Sequence, residues 1–239
     1  MMKTISKIFG GRLTGFLAAV MLLVSGVAAA GDNPADPYEG FNRAMFGVNE
    51  GIDTVIVKPL AKGYDAVAPL PVKASVGNFF GNVSDLFIGV NNGLQGKPGS
   101  GASDIGRLLI NSTIGIFGLF DVASEMGLEK HNEDFGQTFA RWGAGDGGYL
   151  VLPIFGPRTV RDSFGLLVDS AVDPVSHIDN IRVRNSATVL RFVDVRASLL
   201  PSDKVVEEAA LDKYSYVRDA YLQRRRNLIF DGNPPKLED

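Results

Sequence analysis

Residues 72 to 120 hold five charged side chains in 49 positions, and this scarcity of charge constrains the fold more than any other feature. In the first half of the stretch, apolar residues recur every three or four positions, which predicts one long helix from 72 to 94. A water-facing helix normally carries Lys and Glu opposite its apolar stripe. Here Ser, Gly and Asn occupy that side, including Asn78 and Asn82. Two interpretations stay open: a helix buried on both sides, or a helix at a lipid or protein boundary that lines a polar passage.

A simple membrane-spanning helix is excluded for this region. The longest charge-free run after residue 30 covers 108–120 and has 13 residues, whereas a bilayer requires about 20. Such an element is expected to lie within an interface or to pack on another protein. The C-terminal residues 201–239 differ, because they hold fifteen charges in 39 positions.

The N-terminus has the pattern of an export signal. Residues 1–30 contain three basic residues and no acidic one, residues 17–24 are apolar, and Ala28 and Ala30 fit a small-x-small cleavage site. We therefore predict a signal peptide over residues 1–30, with an uncleaved anchor as the alternative. The sequence has no cysteine, so it offers no acylation site for a lipoprotein anchor, no disulfide scaffold and no Cys-ligated metal site.

The remaining pattern predicts a single all-α domain. We expect a linker at residues 31–37, a helical domain at 38–230 and a frayed tail at 231–239. No sustained period-2 strand is visible. Pro59 is expected to end or kink the first helix. Further helix starts are predicted at Ser103 or Asp104 as caps, at Pro157, and at Ser202 or Asp203 as caps of a last, charged helix.

Catalytic chemistry has few candidates in the sequence. No cysteine nucleophile and no G-x-S-x-G motif occur, and the two histidines are His131 and His177. His131 stands beside acidic residues but has no second histidine at ligand spacing, so a solvated loop is predicted. Residues 143–148 match G-x-G-x-x-G without the preceding strand and following helix that a dinucleotide site needs. We predict no enzyme, no metal and no cofactor.

The overall charge of the chain does not indicate a nucleic-acid partner. The formal net charge is -3 and the isoelectric point is about 5.5, so nucleic-acid binding is not expected. Residues 224–226 form an arginine cluster, for which we predict a solvated helix end. Contact with an anionic lipid or an acidic partner is the alternative.

Several motifs together resemble one family. They are residues 36–43 (DPYEGFNR), 111–115 (NSTIG), 120–123 (FDVA), 134–138 (DFGQT), 152–156 (LPIFG), 159–162 (TVRD) and 217–221 (VRDAY). Over about residues 36–230 the chain resembles the MlaA (VacJ) family of outer-membrane phospholipid-transport proteins.

The resemblance implies a ring-like domain of amphipathic helices around a central polar channel, lying in the inner leaflet of the outer membrane on its periplasmic side. It implies removal of mislocalised phospholipids from the outer leaflet. The implied partners are phospholipid, an outer-membrane trimeric porin and a periplasmic lipid carrier of the MCE-type transport system. Expected channel or gate residues are Phe41, Asn42, Asn78, Asn82, Gly143, Gly145, Asp146, Gly147 and Gly148.

The N-terminus departs from the family pattern, in which the mature chain often begins with a lipidated cysteine. We therefore expect attachment without a lipid anchor, through perimeter helices, a porin or both. Two other functions stay open: a soluble periplasmic lipid-binding or lipid-acting protein, and a structural envelope or surface protein. The charge-poor region argues against a soluble protein. For Asp146, the alternative to a role at the channel is that it is simply an exposed aspartate in a loop.

Overall fold

The computed structural model describes residues 33–236. The predicted signal peptide, residues 1–30, lies outside the described residues, as do the start of the predicted linker and the last three residues of the tail. The chain is mainly helical, so the all-α prediction is confirmed. The elements are α1 (Glu39–Ile52), α2 (Lys58–Val67), α3 (Leu70–Leu94), α4 (Pro98–Thr113), α5 (Val122–Glu125), α6 (Phe135–Arg141), β1 (Tyr149–Leu152), β2 (Gly156–Thr159), α7 (Val160–Val172), α8 (Ile181–Ser198), α9 (Leu200–Ala209) and α10 (Lys213–Ile229).

Pro59 does not end the first helix. A π-helical turn, Asp53–Val57, joins α1 to α2, and Pro59 lies in the first turn of α2. Proline cannot donate to the carbonyl four residues earlier. The wider π turn, in which the Lys58 N–H donates to the carbonyl of Asp53, accommodates that missing donor.

Three predicted helix starts are wrong. Helix α4 begins at Pro98 rather than after Ser103 or Asp104, because the Asp104 side chain is buried and accepts from Asn92 at 2.8 Å. Pro157 lies in β2, where it pairs with Val151, and the helix begins at Val160. The charged C-terminal segment forms two helices, α9 and α10, and Asp212 caps α10.

The antiparallel β1–β2 hairpin was not predicted. Its register pairs Tyr149 with Thr159 and Leu152 with Gly156. All four residues of β1 are buried, so the strand shows a continuous apolar run without the alternation that identifies a half-exposed strand. The hairpin packs on α1 through β1 and on α7 and α10 through β2.

The contacts between elements close a circuit. Helix α2 packs on α8, α8 on α3, α3 on α6, α6 on α7, and α7 on β2, while β1 returns to α1. Helix α4 packs along α3 outside this sequence of contacts. The crossing of α3 and α4 is close, because a Cβ added to Gly89 would lie 3.1 Å from the carbonyl oxygen of Gly101.

Polar and charged side chains, rather than apolar ones, fill much of the interior. The buried aromatic and aliphatic cluster is small: Tyr149, Val151 and Tyr214. Helix α7 has charged residues on its inner face and an aromatic residue outside: Arg161 and Asp162 are buried, while Phe164 is exposed. The sequence pattern predicts the opposite, with Val160, Phe164 and Leu167 inside.

Candidate functional site

An exposed apolar loop follows α4 and covers residues 114–120. Phe117 is 76% exposed, and Ile114, Ile116 and Phe120 each exceed half exposure. Ile116 and Phe117 have φ values of 52° and 55°, a left-handed conformation that is uncommon for side chains of this kind. The surrounding structure therefore holds large apolar groups outward at a conformational cost. Within residues 33–236, no helix is long and apolar enough to span a membrane.

Asn78 and Asn82 hold this apolar loop against α3. The Asn78 side chain donates to the Leu119 carbonyl at 3.2 Å, and Asn82 donates to Ser112 Oγ at 2.9 Å. Gly118 lies directly on Asn82, so that an added Cβ would come within 2.6 Å of it. Neither asparagine lines the cavities described below, and their role in a channel stays a prediction.

A buried ion network lies beneath the loop. Arg107 is fully buried and donates to both oxygens of Asp121 at 2.8 and 2.9 Å and to the Leu128 carbonyl at 2.6 Å. Its Nε lies 3.5 Å from Asp85, which is also fully buried. Burial raises the pKa of Asp85, although Lys130 opposes the shift. Three of the five charges between residues 72 and 120, those of Asp85, Asp104 and Arg107, therefore point inward.

Asn42 connects the start of the chain to the hairpin. Its amide donates to Asp36 at 2.8 Å and to the Tyr149 carbonyl at 3.0 Å, and its oxygen accepts from the Val151 N–H at 2.8 Å. The neighbouring Phe41 is half-buried on α1. All hydrogen-bonding groups of the Asn42 side chain serve this connection, which positions β1 against α1.

The glycine loop, residues 143–148, joins α6 to β1. Gly147 and Gly148 have φ values of 71° and 89°, and a Cβ on either would come within 3 Å of a neighbouring side chain. Gly143 and Gly145 face open space. Asp146 is mostly exposed but forms an ion pair with Arg161, so it is not a free loop aspartate. Whether the loop gates a passage stays a prediction.

The arginine cluster of α10 is not uniformly solvated. Arg225 is buried and donates to both oxygens of Asp134 at 2.6 and 2.7 Å and to Asp162 at 2.9 Å. Burial alone would raise the pKa of Asp134, but the hydrogen bonds and charge of Arg225 outweigh it and lower that pKa. Tyr221 donates to Asp162 at 2.7 Å. The predicted solvated helix end is thus wrong for Arg225, which joins α10 to α6 and α7.

Each of two cavities has one residue of the hairpin turn in its wall. The first, of about 490 Å³, is bounded by α1, the π turn, α8 and α9, and Ile154 of the turn lines it. Its wall combines apolar groups such as Phe46 and Phe192 with Arg196, which donates to Asp53 at 2.7 and 2.8 Å. The second, of about 420 Å³, lies between α3, α7 and α8 and is lined by Phe155 of the same turn.

Asp169 is a titratable residue in the wall of the second cavity. Its carboxylate accepts from the Phe135 N–H at 3.2 Å. Burial, together with the nearby Asp134, raises the pKa of Asp169 to about 6, against opposing effects of Phe135, Arg158 and Arg225. This carboxyl group therefore changes its charge in mildly acidic conditions.

Asp169→Asn is expected to stabilise the protein at neutral pH and not at low pH. The pKa of Asp169 in the folded protein is raised above its unfolded value of about 3.9. The stability associated with the protonated carboxyl group is therefore fully present below pH 4 and is lost as the pH rises through 6. Asparagine keeps an oxygen acceptor for Phe135 but never ionises. We expect the variant to gain about 1 to 2 kcal/mol in free energy of unfolding at pH 7.5 and nothing at pH 3.5. Chemical denaturation at pH 7.5 and pH 3.5 measures the free energy of unfolding, and Asp179→Asn, at an exposed position, is the control. Equal gains in stability at the two pH values would contradict the prediction.

The two histidines serve local structure. His131 Nδ1 lies 3.0 Å from Asp104, and His177 Nδ1 lies 2.9 Å from the Asp173 carbonyl. His131 is thus held by a buried carboxylate rather than solvated as predicted. Among residues 33–236, no group of His, Asp and Glu side chains is placed to hold a metal ion.

Comparison with known proteins decides the family. The model of the MlaA lipoprotein family matches residues 34–228. The chain belongs to the MlaA family. The sequence-based resemblance is thereby confirmed over nearly the same residues.

Relatives within the family include both named and unnamed proteins. The intermembrane phospholipid transport system lipoprotein MlaA of Escherichia coli (strain K12) is 33% identical over 235 residues, which cover 95% of this chain and 92% of the relative. An uncharacterized protein of Rickettsia bellii (strain RML369-C) is 36% identical over 191 residues, or 80% of this chain and 75% of the relative. A solved structure, described as the structural basis for maintenance of bacterial outer membrane lipid asymmetry, has a TM-score of 0.71 at 33% identity and covers 83% of this chain and 99% of its own.

Several important residues of this MlaA-family chain were missed by the sequence analysis. The buried Arg107 pairs with Asp121, at the start of α5, and the buried Arg161 pairs with Asp146 of the glycine loop. One signal was available: an isolated charge in a charge-poor region is costly to bury and is expected to have a partner. The pairing itself was not visible, because Arg161 and Asp146 are separated by the hairpin.

Proposed function

We propose that this chain transports phospholipid at the outer membrane without enzymatic chemistry. It resides at the inner leaflet and removes mislocalised phospholipids from the outer leaflet toward the periplasm. Family membership supports this assignment, together with the names of the relatives that cover most of the chain.

One observation carries the proposal: the polar and apolar surfaces are inverted relative to a water-soluble domain. Asp85, Asp104 and Arg107 are fully buried, whereas Phe117 is mostly exposed. Exposed apolar patches of this kind mark contacts with membrane or protein. In a membrane environment the apolar residues would contact acyl chains, and the buried polar pairs would be screened from them.

The closed circuit of helices supports a passage through the domain. Elements of this circuit contribute to the walls of the two cavities, and both walls combine apolar groups with paired charges. Such a wall suits an amphipathic molecule, because the paired charges attract a headgroup without a large net field. We propose that these cavities belong to the central polar channel, with the glycine loop beside it.

The location and partners follow from the same proposal. The exposed loop 114–120 and neighbouring apolar faces would attach the protein to the leaflet, because they present large apolar side chains outward. A trimeric porin and a periplasmic lipid carrier of the MCE-type system are the proposed protein partners. The signal peptide, residues 1–30, would direct export.

The test uses a bacterial strain that lacks its own family member and accumulates phospholipid in the outer leaflet. Expression of this chain is expected to return the lipid accessible to an external phospholipase to the wild-type level. Stable expression and export without any decrease in accessible lipid would overturn the proposal. A carbonate wash of the membranes adds a second readout, since complete release of the protein would contradict embedded apolar surfaces.

A further inference from the structure

A third cavity lies between the glycine loop and the end of α10. Its volume is about 540 Å³, and it is lined by Arg161, Arg225 and Arg226 together with Asp146. It differs from the two cavities at the hairpin turn, because the first has Arg196, and the second Arg191, as its arginine. Three arginines at one cavity indicate an anionic ligand.

Asp146 covers Arg161 in this cavity. The Arg161 side chain is 5% exposed, whereas that of Asp146 is 60% exposed. On its inner side Arg161 donates to Asp162 at 2.9 and 3.1 Å, and on its outer side Nη1 reaches Asp146. Movement of Asp146 would therefore open one guanidinium nitrogen to the cavity while the inner ion pair stays intact.

The charge balance leaves a position for one anion. Arg161 and Arg225 pair internally with two acids, Asp134 and Asp162, whereas Arg226 donates to the Pro235 carbonyl and has neither acid as a partner. The Nε of Arg225 has no hydrogen-bond partner among residues 33–236. Asp146, carried on a loop, supplies the third negative charge, so another single negative group can replace it without changing the total.

The rest of the wall suits a molecule with an apolar part. Leu222, Ile229 and Phe230 of the α10 end line the cavity beside the arginines. The first half of the loop has room to change conformation, because Gly143 and Gly145 have no neighbour within 4 Å of an added Cβ and glycine has a wide range of backbone conformations; Gly147 and Gly148 are packed against Val160 and Pro37. Arg161 also donates to the Ala144 carbonyl at 3.5 Å, and its backbone N–H donates to the Asp146 carbonyl at 3.1 Å, so it contacts the loop at three points, of which only the Asp146 carboxylate would be displaced by an anion.

We propose that Arg161 binds a phosphate group in this cavity, and that Asp146 competes with it as a tethered anion, so that binding releases the glycine loop. The inference rests on the proposed function, since it assigns a phosphate-recognition site to a lipid transporter. The phosphate belongs to a lipid headgroup or to free phosphate, and the ligand arms of the test distinguish these sources. No covalent step is involved.

The test follows the loop directly. Because the chain has no cysteine, Gly145→Cys accepts a single spin label on the purified full chain in non-ionic detergent. Three probes are titrated: dihexanoyl-phosphatidylglycerol, dihexanoylglycerol without phosphate, and inorganic phosphate. We expect the mobility of the label to increase with the phospholipid and to stay unchanged with the phosphate-free lipid. Mobility with inorganic phosphate alone would support the same site with free phosphate as its ligand.

Asp146→Asn separates competition from simple binding. The variant is expected to have a mobile label before any addition and to bind the phospholipid about tenfold more tightly, the effect of removing one competing charge-assisted hydrogen bond. The matched control Asp179→Asn, an exposed aspartate outside the cavity, should behave as the parent.

Two results would overturn the inference: equal affinity of Asp146→Asn and parent, or equal release by the phosphate-free lipid. Either result, in a chain that still restores outer-leaflet lipid content in the deletion strain, rejects this site and leaves the proposed function standing. Failure of the parent to restore that content rejects the proposed function instead.

Discussion

Arg107→Ala is expected to be among the most destabilising single substitutions in the chain, at about 3 to 5 kcal/mol in free energy of unfolding. The side chain is fully buried and holds Asp121, Ser124 and the Leu128 carbonyl from one position on α4. Hydrogen bonds from Ser124, Asn111 and Arg107 outweigh burial and lower the pKa of Asp121. Alanine would leave that carboxylate and Asp85 without their guanidinium partner.

Thermal unfolding of the purified protein, followed by far-ultraviolet circular dichroism, measures the loss. Arg107→Lys should fall between the parent and the alanine variant, because lysine keeps the charge but cannot bind Asp121 through two nitrogens. Arg182→Ala, at an exposed position on α8, is the matched control. An unfolding midpoint for Arg107→Ala equal to that of the control would show that the network is not a structural requirement.

Phe117→Asp is expected to reduce membrane binding by about 100-fold while leaving the fold intact. The loss combines the transfer energy of one phenyl group with the cost of placing a charge among acyl chains. Folding should be unaffected, because Phe117 is 76% exposed. Its φ of 55° is in fact better tolerated by aspartate than by phenylalanine.

Flotation with vesicles of phosphatidylethanolamine and phosphatidylglycerol measures the partition. Leu211→Asp is the matched control, since Leu211 is fully exposed but lies between the charged helices α9 and α10. We expect the control to float with the parent. Equal flotation of both variants would contradict membrane contact through the loop at residues 114–120.

The long helix α3 could be predicted from sequence because its period of three to four residues reflects backbone geometry, which is independent of the surroundings. The residues that α3 and its neighbour α4 turn toward the interior could not be predicted. Asp104, predicted as a helix cap, is needed in the interior for Asn92 and His131. A pattern that identifies polar residues with water therefore misplaces them in a domain whose interior is polar.

The hairpin and the ion pairs required information that is distant in the chain. Strand β1 is a short apolar run that becomes a strand through Asn42, which lies 107 positions before Tyr149. Arg225 pairs with Asp134 across 91 positions. Single-sequence patterns give the type of such residues but not their partners, whereas the family motifs identified the domain because they include several of these residues, among them Asp36, Asn42 and Asp162.

The inverted interior also determines how this sequence can diverge. If the outward-facing Val, Ile, Leu and Phe residues contact acyl chains, as the proposed function requires, exchanges among these residue types should be nearly neutral. An inner pair such as Arg107 and Asp121 admits no single replacement that removes a charge, because the remaining member becomes an uncompensated charge. Drift in this protein should therefore be fast at its rim and should proceed inside by paired replacements, the reverse of the familiar pattern in water-soluble domains.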